Sequence, residues 1–188
     1  MSAQPKINIT PEEYLIFERQ ADERHEFVEG IIYAMSGASR AHNIITVNIA
    51  SAFNNQFKGR NCNVYASDMR VKVNQTDYTY PDIVAVCGES ELEDEHFDTL
   101  LNPTIIIEVL SKSTERYDKS KKADLYRTLD TVQDYILVAQ SQYYIEHYQR
   151  QNQHQWLLTV LTDINQTLVL KSVDTKISVQ DIYDKVLL

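Results

Sequence analysis

Two spacings of apolar positions alternate along the chain and predict a mixture of helices and strands. Apolar residues three and four apart predict helices over residues 11–21, 38–57 and 113–129, and a short terminal helix starts at Ser178. Short runs of β-branched and aromatic residues predict strands over residues 25–28, 31–35, 62–66, 69–73, 80–86, 103–111, 133–139, 143–150, 155–161 and 168–171. No repeat or linker divides the sequence. We therefore expect a single α/β domain over residues 1–188, with a mixed central β-sheet flanked by α-helices.

Local signals mark where several of these elements begin and end. Thr10 is placed as an N-cap, with Pro11 in the first turn and Glu13 closing a capping box, which favours a helix start. Glu29-Gly30 predicts a tight connection between the strands at 25–28 and 31–35. Residues 151–154 are polar and predict the loop of a second hairpin.

The stretch from residue 80 to residue 126 organises the chain. It holds two apolar, β-branched runs, each with one carboxylate set into it: Asp82 in the first and Glu108 in the second. Three isoleucines precede Glu108, and Val109 and Leu110 follow it, a composition typical of a strand in the interior of a sheet. A buried charge is costly unless it is compensated. Glu108 therefore needs a cation, either a metal ion or a lysine or arginine from the following helix.

The following helix has one apolar face, which we expect to pack on the sheet. At about 100° per residue, that face contains Asp118, Lys122, Leu125, Tyr126 and Leu129. The flanks and the opposite side contain Lys119, Lys121 and Arg127, which water can reach. Lys122 is therefore the lysine that points toward Glu108.

A carboxylate at a strand start, a second on a neighbouring strand and a lysine close by form a constellation that resembles the PD-(D/E)xK nuclease superfamily. In more detail, the chain is similar to the putative restriction endonuclease family, long catalogued as a domain of unknown function. The matching pieces follow the order of that family from residue 10 to about residue 140 and are His25-Glu26-Phe27-Val28-Glu29-Gly30, His42, Pro81-Asp82, Glu108-Val109-Leu110-Ser111, Asp118, Lys122 and Tyr126. One departure from the superfamily pattern is Leu110, which stands two residues after Glu108 where the pattern has lysine. Lys122 on the next helix fits as its replacement.

The resemblance implies a metal-dependent endonuclease that hydrolyses DNA phosphodiester bonds. Asp82 and Glu108 would bind Mg²⁺ or Mn²⁺ through hard oxygen ligands, together with the backbone carbonyl of Val109. Lys122 would orient or help to deprotonate the attacking water and would offset charge in the transition state. The resemblance also implies DNA as the partner and a homodimer, because two sites cut two strands most easily.

Two further catalytic candidates come from the first half of the chain. Glu26 and Glu29 are three residues apart and would point to opposite faces of a strand, so one of them reaches the site. The resemblance favours Glu26, and surface charges in the hairpin are the alternative for both. His42 lies in the first turn of the 38–57 helix, close to the apolar position Ile45. It could ligate a metal, contact phosphate, shuttle a proton or be a hydrogen-bonded core group.

Two other interpretations need no catalysis. Glu108, Asp118 and Lys122 could form a self-contained buried ion network, in which Asp118 is an i, i+4 partner of Lys122. Tyr126, one turn beyond Lys122, could hold a hydrogen bond to the site or pack in the core. The protein could also be a catalytically inactive nuclease-fold module that acts as a dimeric nucleic-acid- or protein-binding protein. Divalent-metal binding separates both interpretations from the nuclease.

Composition narrows the class of protein. The chain has 188 residues, 43% of them hydrophobic, which suits one domain with a real core. No apolar run approaches the ~20 residues of a membrane span, and residues 1–10 lack the apolar region of a secretory signal. We therefore expect a cytoplasmic protein with no membrane partner. Cys62 and Cys87 have no CxxC spacing, so we expect reduced core residues.

Charge further limits the expected partners. The net charge of −9 counts against a broad nucleic-acid-coating face. Six acidic residues fall within residues 89–98, which we expect to be an exposed loop, whereas basic residues concentrate in 58–72 and 112–127. DNA contact would therefore be local and dependent on salt. His147 and His154 lie far from the motif positions, and we expect both to be exposed.

Overall fold

A computed structural model of the protein describes residues 2–3, 9–35 and 37–188. The helices within these ranges are α1 Pro11–Gln20, α2 Arg40–Phe57, α3 Glu115–Tyr117, α4 Ala123–Thr128 and α5 Val179–Ile182. A π-helical turn, Asp118–Lys122, joins α3 to α4, and a 3₁₀ turn covers Lys171–Val173. None of the helices in the described ranges is long and apolar enough to cross a membrane.

The strands divide between two six-stranded sheets and a two-stranded ribbon. Their bounds are β1 Ser2–Ala3, β2 His25–Val28, β3 Ile31–Ala34, β4 Cys62–Ala66, β5 Arg70–Lys72, β6 Tyr78–Thr79, β7 Ile83–Cys87, β8 Thr99–Leu100, β9 Ile105–Leu110, β10 Asp134–Ala139, β11 Ile145–Asn152, β12 Gln155–Leu161, β13 Thr167–Leu170 and β14 Thr175–Ser178. The central sheet has the order β12-β11-β10-β9-β7-β4, the second sheet β1-β3-β2-β6-β5-β8, and β13 pairs with β14. The β9–β10 and β5–β8 pairs are parallel and the others are antiparallel, so the expected mixed α/β fold is confirmed.

Strand β9 lies inside the central sheet and is buried along its whole length. On one face, Ile105 and Ile107 pack in a cluster with Ile49 and Phe53 of α2. On the other face, Ile106 packs in a cluster with residues of α4, including Ala123 and Tyr126. Alternate side chains of a strand point to opposite faces, so β9 needs an apolar residue at nearly every position. Burying each large aliphatic side chain stabilises the fold by about 1.5–3 kcal/mol.

The first helix and the hairpin after it form as the sequence predicts. Thr10 accepts a hydrogen bond from the Glu13 backbone N–H, and the Glu13 carboxylate accepts one from the Thr10 backbone N–H. Strands β2 and β3 are joined through Glu29 and Gly30, with φ of 52° and 75°. This left-handed backbone suits glycine and gives the hairpin its two-residue turn.

The strands predicted at residues 62–66 and 69–73 form as β4 and β5, and they belong to different sheets, because β4 pairs with β7 whereas β5 pairs with β6 and β8. The helix predicted over residues 113–129 is divided by the π-helical turn. The apolar spacing on both sides of that turn is helical, so the pattern alone does not reveal the inserted residue.

The prediction of reduced cysteines is wrong in this structure. Cys62 and Cys87 form a disulfide with a Cα–Cα distance of 4.0 Å. Strands β4 and β7 place the two residues directly opposite each other in antiparallel register. They are 25 residues apart in sequence, so only the pairing of the strands shows that they meet.

The prediction that His147 is exposed is also wrong, whereas His154 is exposed as expected. His147 lies on β11 and is only 5% exposed, with its Nε2 2.6 Å from Oδ1 of Asp134. Asp134 opens the neighbouring strand β10 and is fully buried. A histidine beside a buried carboxylate is a satisfied polar group, and the sequence pattern alone could not pair these two residues.

The acidic segment at residues 89–98 is only partly exposed. Asp94 and Asp98 bind Arg19 of α1 at 2.6 Å and 2.8 Å, and Asp98 also lies 2.8 Å from the buried Arg70. Glu93 accepts hydrogen bonds from Lys72 and Tyr78. The segment therefore packs against cations of α1 and the second sheet, which neighbouring residues in the sequence do not indicate.

Candidate active site

Two carboxylates meet at one end of the central sheet. Strand β7 is antiparallel to β9, with Ile83 opposite Ile107, so the start of β7 lies beside the end of β9. Asp82 directly precedes β7, and Glu108 lies near the end of β9. The backbone N–H of Asp82 donates to Oε2 of Glu108 at 3.4 Å. The topology therefore brings together two residues that are 26 positions apart.

The Asp82 carboxylate is fixed by two contacts. Its Oδ2 accepts a hydrogen bond from the backbone N–H of Val109 at 2.7 Å and lies 3.0 Å from Nε2 of His42. His42 is held in the first turn of α2, where its backbone N–H donates to the N-cap Ser39. Both contacts use Oδ2, which leaves Oδ1 of Asp82 available to a ligand.

Glu108 is held by the helical segment that follows it. Its Oε1 accepts hydrogen bonds from Nζ of Lys122 and from the hydroxyl of Tyr126, each at 3.0 Å. Lys122 also lies 2.8 Å from Oε1 of Glu26 and 3.8 Å from Oδ1 of Asp118. Both Glu108 and Lys122 are at least 95% buried. The cation that Glu108 requires is therefore Lys122.

The π-helical turn positions the acidic and basic groups of this segment. Asp118 is its first residue and Lys122 its last, and both are buried. Tyr135 of β10 donates a hydrogen bond from its hydroxyl to the Asp118 carbonyl at 2.9 Å, which ties the turn to the central sheet. Single π-helical turns inside helices occur frequently at functional sites.

Three carboxyl groups contact one ammonium group in this cluster, those of Glu26, Glu108 and Asp118, and Asp82 lies beside Glu108. Burial raises the pKa of Asp118 to about 6. Burial also raises the pKa of Glu108 well above its usual range, and the Lys122 charge offsets this only in part. For Lys122, burial acts to lower the pKa, but the Glu108 and Glu26 carboxylates outweigh it and hold the pKa well above its usual value. The neighbouring carboxyl groups thus favour the ammonium form of Lys122.

A cleft of about 300 Å³ opens onto this cluster. Glu26, His42, Asp82, Glu108 and Lys122 all line it. Within the described ranges, Oε2 of Glu26 and Nδ1 of His42 are buried and have no hydrogen-bond partner. Unpaired buried polar atoms are uncommon in folded proteins, so these two atoms mark where a ligand or water would be bound.

The donor set of the cleft fits a hard divalent cation. The carboxyl groups of Glu26, Asp82, Glu108 and Asp118 outnumber the single ammonium group of Lys122, so a divalent cation would stabilise their ionised forms. Among the residues that the structure describes, no three His, Cys, Asp or Glu side chains converge to form a metal site by themselves. Mg²⁺ needs no such cage, because it is usually held by one or two carboxylates and retains several waters. Asp82 and Glu108 would supply the carboxylates.

The structure brings the candidate residues together and separates the two glutamates of the hairpin. Glu26 points into the cleft and is 1% exposed, whereas Glu29 lies at the surface and pairs with Lys121. His42 lies beside Asp82. The backbone N–H of Val109 binds Asp82, and Val109 also lines the cleft. The catalytic and metal-binding roles of all these residues stay predictions.

Sequence reasoning missed several groups that support the site. The backbone N–H of Tyr80 donates to Oε1 of Glu26 at 3.0 Å, which fixes the glutamate across the two sheets. Gln140 donates to the Leu110 carbonyl at 3.0 Å and accepts a hydrogen bond from Ser39 at the start of α2. Gln140 directly follows β10, and the parallel strands β9 and β10 end at the same edge of the sheet. Its position in the sequence could therefore have indicated that Gln140 lies near the site.

Comparison with known proteins identifies the family. The Uma2 family model, described as "Putative restriction endonuclease", matches residues 11–180 of the chain. The chain belongs to this family. Two relatives from Synechocystis sp. are the uncharacterized proteins sll1609, 38% identical over 158 residues, and slr1290, 36% identical over 180 residues. The first alignment covers 84% of this chain and 89% of the relative, and the second covers 95% and 93%.

The fold also matches a solved structure. The crystal structure of a putative nuclease belonging to DUF820 from Anabaena variabilis aligns with a TM-score of 0.79 and 19% identity. The alignment covers 95% of this chain and 99% of that one. At this identity the likeness concerns the fold. It shows that the arrangement of helices around mixed sheets is shared over nearly the whole Uma2 chain.

Proposed function

We propose that this Uma2 protein is a Mg²⁺- or Mn²⁺-dependent endonuclease that hydrolyses DNA phosphodiester bonds. One observation carries the proposal. Asp82 and Glu108 lie beside each other at the bottom of a cleft, with the Lys122 ammonium group 3.0 Å from Glu108. Two carboxylates and a lysine are the groups that metal-assisted phosphate-ester hydrolysis requires. The family match supports the same chemistry.

Asp82 and Glu108 would hold the cation, with the Val109 carbonyl as a third oxygen. When bound, Mg²⁺ or Mn²⁺ supplies Lewis-acid polarisation of the scissile phosphate and lowers the pKa of a bound water. His42 would keep the Asp82 carboxylate in its orientation through the Nε2 contact of 3.0 Å. The charge and hydrogen bonds of the protein are already in place before a substrate arrives, which is the condition for electrostatic stabilisation of a transition state.

Lys122 and Glu26 would act on the water and the phosphate. Lys122 donates to Glu108 and Glu26, and as an ammonium ion it would offset the negative charge that builds on the phosphate oxygens. Glu26 has one oxygen bound to Lys122 and to the Tyr80 backbone, while Oε2 has no hydrogen-bond partner in the described part of the chain. Oε2 of Glu26 would accept the proton of the attacking water. Lys122 would therefore stabilise charge, and Glu26 would transfer the proton.

DNA contact would be confined to the margin of the cleft. Lys112 is exposed and lies between Ser111 and Ser113, which both line the cleft, and Arg40 is exposed at the start of α2. With a chain charge of −9, these few cations would give weak binding that falls steeply with salt. A homodimer would increase the number of contacts with one DNA molecule.

Titration calorimetry with Mn²⁺, followed by plasmid cleavage with the same samples, tests the proposal. We expect the wild-type protein to bind Mn²⁺ and to cut DNA, and Asp82→Ala to lose both properties. Asp68→Ala is the matched control, because Asp68 lies in the preceding turn and its side chain is 74% exposed. It should bind and cut as the wild type does.

The alternative is a catalytically inactive nuclease-fold module that binds nucleic acid or protein. Lys122 among three carboxylates is compatible with it, because such a network can be purely structural. A wild-type protein that binds no Mn²⁺ and cuts no DNA would overturn the nuclease proposal in favour of this module. Mn²⁺ binding without cleavage would retain the metal site and exclude DNA hydrolysis as its reaction.

A further inference from the structure

Strand β12 forms an unprotected edge of the central sheet. Within the described residues it pairs with β11 on one side, and no strand pairs with its other side. The seven residues of β12 include no charged side chain, proline or glycine. Folded proteins usually protect an edge strand with a charge, a proline, a bulge or a covering loop, because its free N–H and C=O groups can bind another strand.

The side chains of β12 add an apolar surface to this edge. Leu157, Leu158 and Val160 are 51%, 46% and 40% exposed. The opposite edge of the same sheet is different: β4 exposes Asn63 and Ala66 and no large apolar side chain. Leu158 and Val160 share one face of the strand and Leu157 lies on the other, so both sides of this edge carry exposed apolar side chains of the kind that marks interaction sites.

The helical segment 115–128 covers β11 but not β12. On this face of the sheet, Lys119 binds Glu146 at 3.0 Å, and Arg127 lies over the Tyr148 ring at 5.2 Å. Glu146 and Tyr148 are the β11 neighbours of Val160 and Leu158. The covering layer therefore ends one strand short of the edge and leaves the two apolar residues in solvent.

We propose that β12 pairs antiparallel with β12 of a second copy of this chain, so that the two central sheets become continuous. The sequence of β12 can pair antiparallel with a second β12 when Leu158 lies on the two-fold axis. Trp156 then lies opposite the partner's Val160, and Leu157 opposite the partner's Thr159. Each cross-strand pair contains apolar or β-branched side chains, which are the favourable pairs in sheets.

Charge excludes a nucleic acid at this edge and permits a second copy of the chain. Two chains of charge −9 repel each other, and residues 155–162 are a neutral surface through which they can approach. A nucleic acid would require cations that β12 lacks. A two-fold axis also needs one self-complementary surface, and a single neutral strand provides it. This inference is independent of the nuclease proposal.

Sedimentation velocity on the wild-type chain and on Leu158→Lys tests the inference. We expect the wild type at twice the chain mass of 21.8 kDa, and Leu158→Lys at the chain mass, because two lysines would meet at the two-fold axis. Val169→Lys is the control, since Val169 is 47% exposed on β13, and it should remain dimeric. A monomeric wild type, or a dimer that persists in Leu158→Lys, would overturn the proposal.

A cysteine variant keeps the test decisive if the lysine variant does not fold. In the proposed register, position 158 faces itself across the two-fold axis, where opposed Cα atoms are about 4.5–5.5 Å apart and within reach of a disulfide. Leu158→Cys should therefore form a covalent dimer on mild oxidation, and Val169→Cys should not. Equal cross-linking of both variants would mean random collision and would contradict the pairing.

Discussion

Lys122 places its ammonium nitrogen 3.0 Å from Oε1 of Glu108, on the same oxygen that accepts the Tyr126 hydroxyl. One residue belongs to a strand of the central sheet that is buried along its whole length, and the other ends a π-helical turn. The contact therefore links the sheet to the helix that covers it. It also sets the charge at the bottom of the cleft, so the same pair contributes to stability and to the proposed chemistry.

Lys122→Met should destabilise the protein strongly. Removing one partner of a buried ion pair leaves the other uncompensated, which costs about 3–5 kcal/mol. Urea unfolding measures the loss. Lys121→Met is the control from the same turn, because Lys121 pairs with the exposed Glu29, and an exposed pair contributes at most about 1 kcal/mol. Equal losses in the two variants would show that Lys122 has no special structural role.

Tyr126→Phe should cost less and leave the charges in place. The substitution removes one hydrogen bond to a buried carboxylate. A hydrogen bond to a charged group stabilises a fold by about 1.5–3 kcal/mol. Tyr143→Phe serves as comparison, since Tyr143 is 37% exposed, and we expect a change within about 0.5 kcal/mol. Thermal unfolding of both variants distinguishes them, and an unchanged midpoint for Tyr126→Phe would contradict the assigned hydrogen bond.

Glu26→Gln should slow cleavage while Mn²⁺ binding is retained. Glu26 is proposed to accept a proton rather than to hold the cation, and loss of a general base typically costs about 10²–10⁴ in rate. Glu29→Gln should cut at the wild-type rate, because Glu29 lies outside the cleft. Single-turnover kinetics measures the cleavage rate of both variants, and calorimetry measures their Mn²⁺ binding. Loss of Mn²⁺ binding in Glu26→Gln would instead make Glu26 a ligand.

Acid should weaken the fold through Asp98. Burial acts to raise the pKa of Asp98, but hydrogen bonds from Arg19 and the charge of Arg70 outweigh it and hold the pKa well below its usual range. The unfolded chain then binds a proton near pH 4 that the folded chain does not, so the free energy of unfolding falls as pH drops below about 4. Urea unfolding at several pH values should show a shallower acid dependence for Asp98→Asn than for the wild type. Asp124→Asn, an exposed replacement of the same kind, should leave the acid dependence unchanged.

The cleavage products should be nicked rather than linear plasmid if both proposals hold. Pairing of β12 across a two-fold axis reverses the direction of β9 in the second copy, so the two clefts open at opposite margins of the shared sheet. Seven strand spacings of about 4.8 Å separate the two β9 strands by roughly 34 Å. Gel analysis of early time points measures the proportions of nicked and linear plasmid. Linear product that appears without a nicked precursor would exclude the arrangement.

The sequence predicts those site residues whose placement follows from their immediate neighbours. Glu108 in an apolar strand and Lys122 on an apolar helical face each follow from a few neighbouring residues. The inward orientation of Glu26 depends on how the second sheet meets the central sheet, as the Tyr80 contact shows. The Cys62–Cys87 and Asp134–His147 contacts depend on strand register in the same way. These long-range pairings carry no signal in residue spacing, so they become visible only in the structure.

The π-helical turn makes the number of residues in this helix as important as their identity. Ser120 lies in the middle of the turn and is exposed, so replacing it with another small polar residue changes little. Deleting it would let the segment continue as a regular α-helix and would rotate everything before the turn by about 100° relative to α4. Lys122 and Tyr126 would keep their places beside Glu108, but Asp118 and the Tyr135 contact would turn away from the cleft. Length variation at this turn is therefore expected to remove Asp118 from the three acidic partners of Lys122 without unfolding the helix.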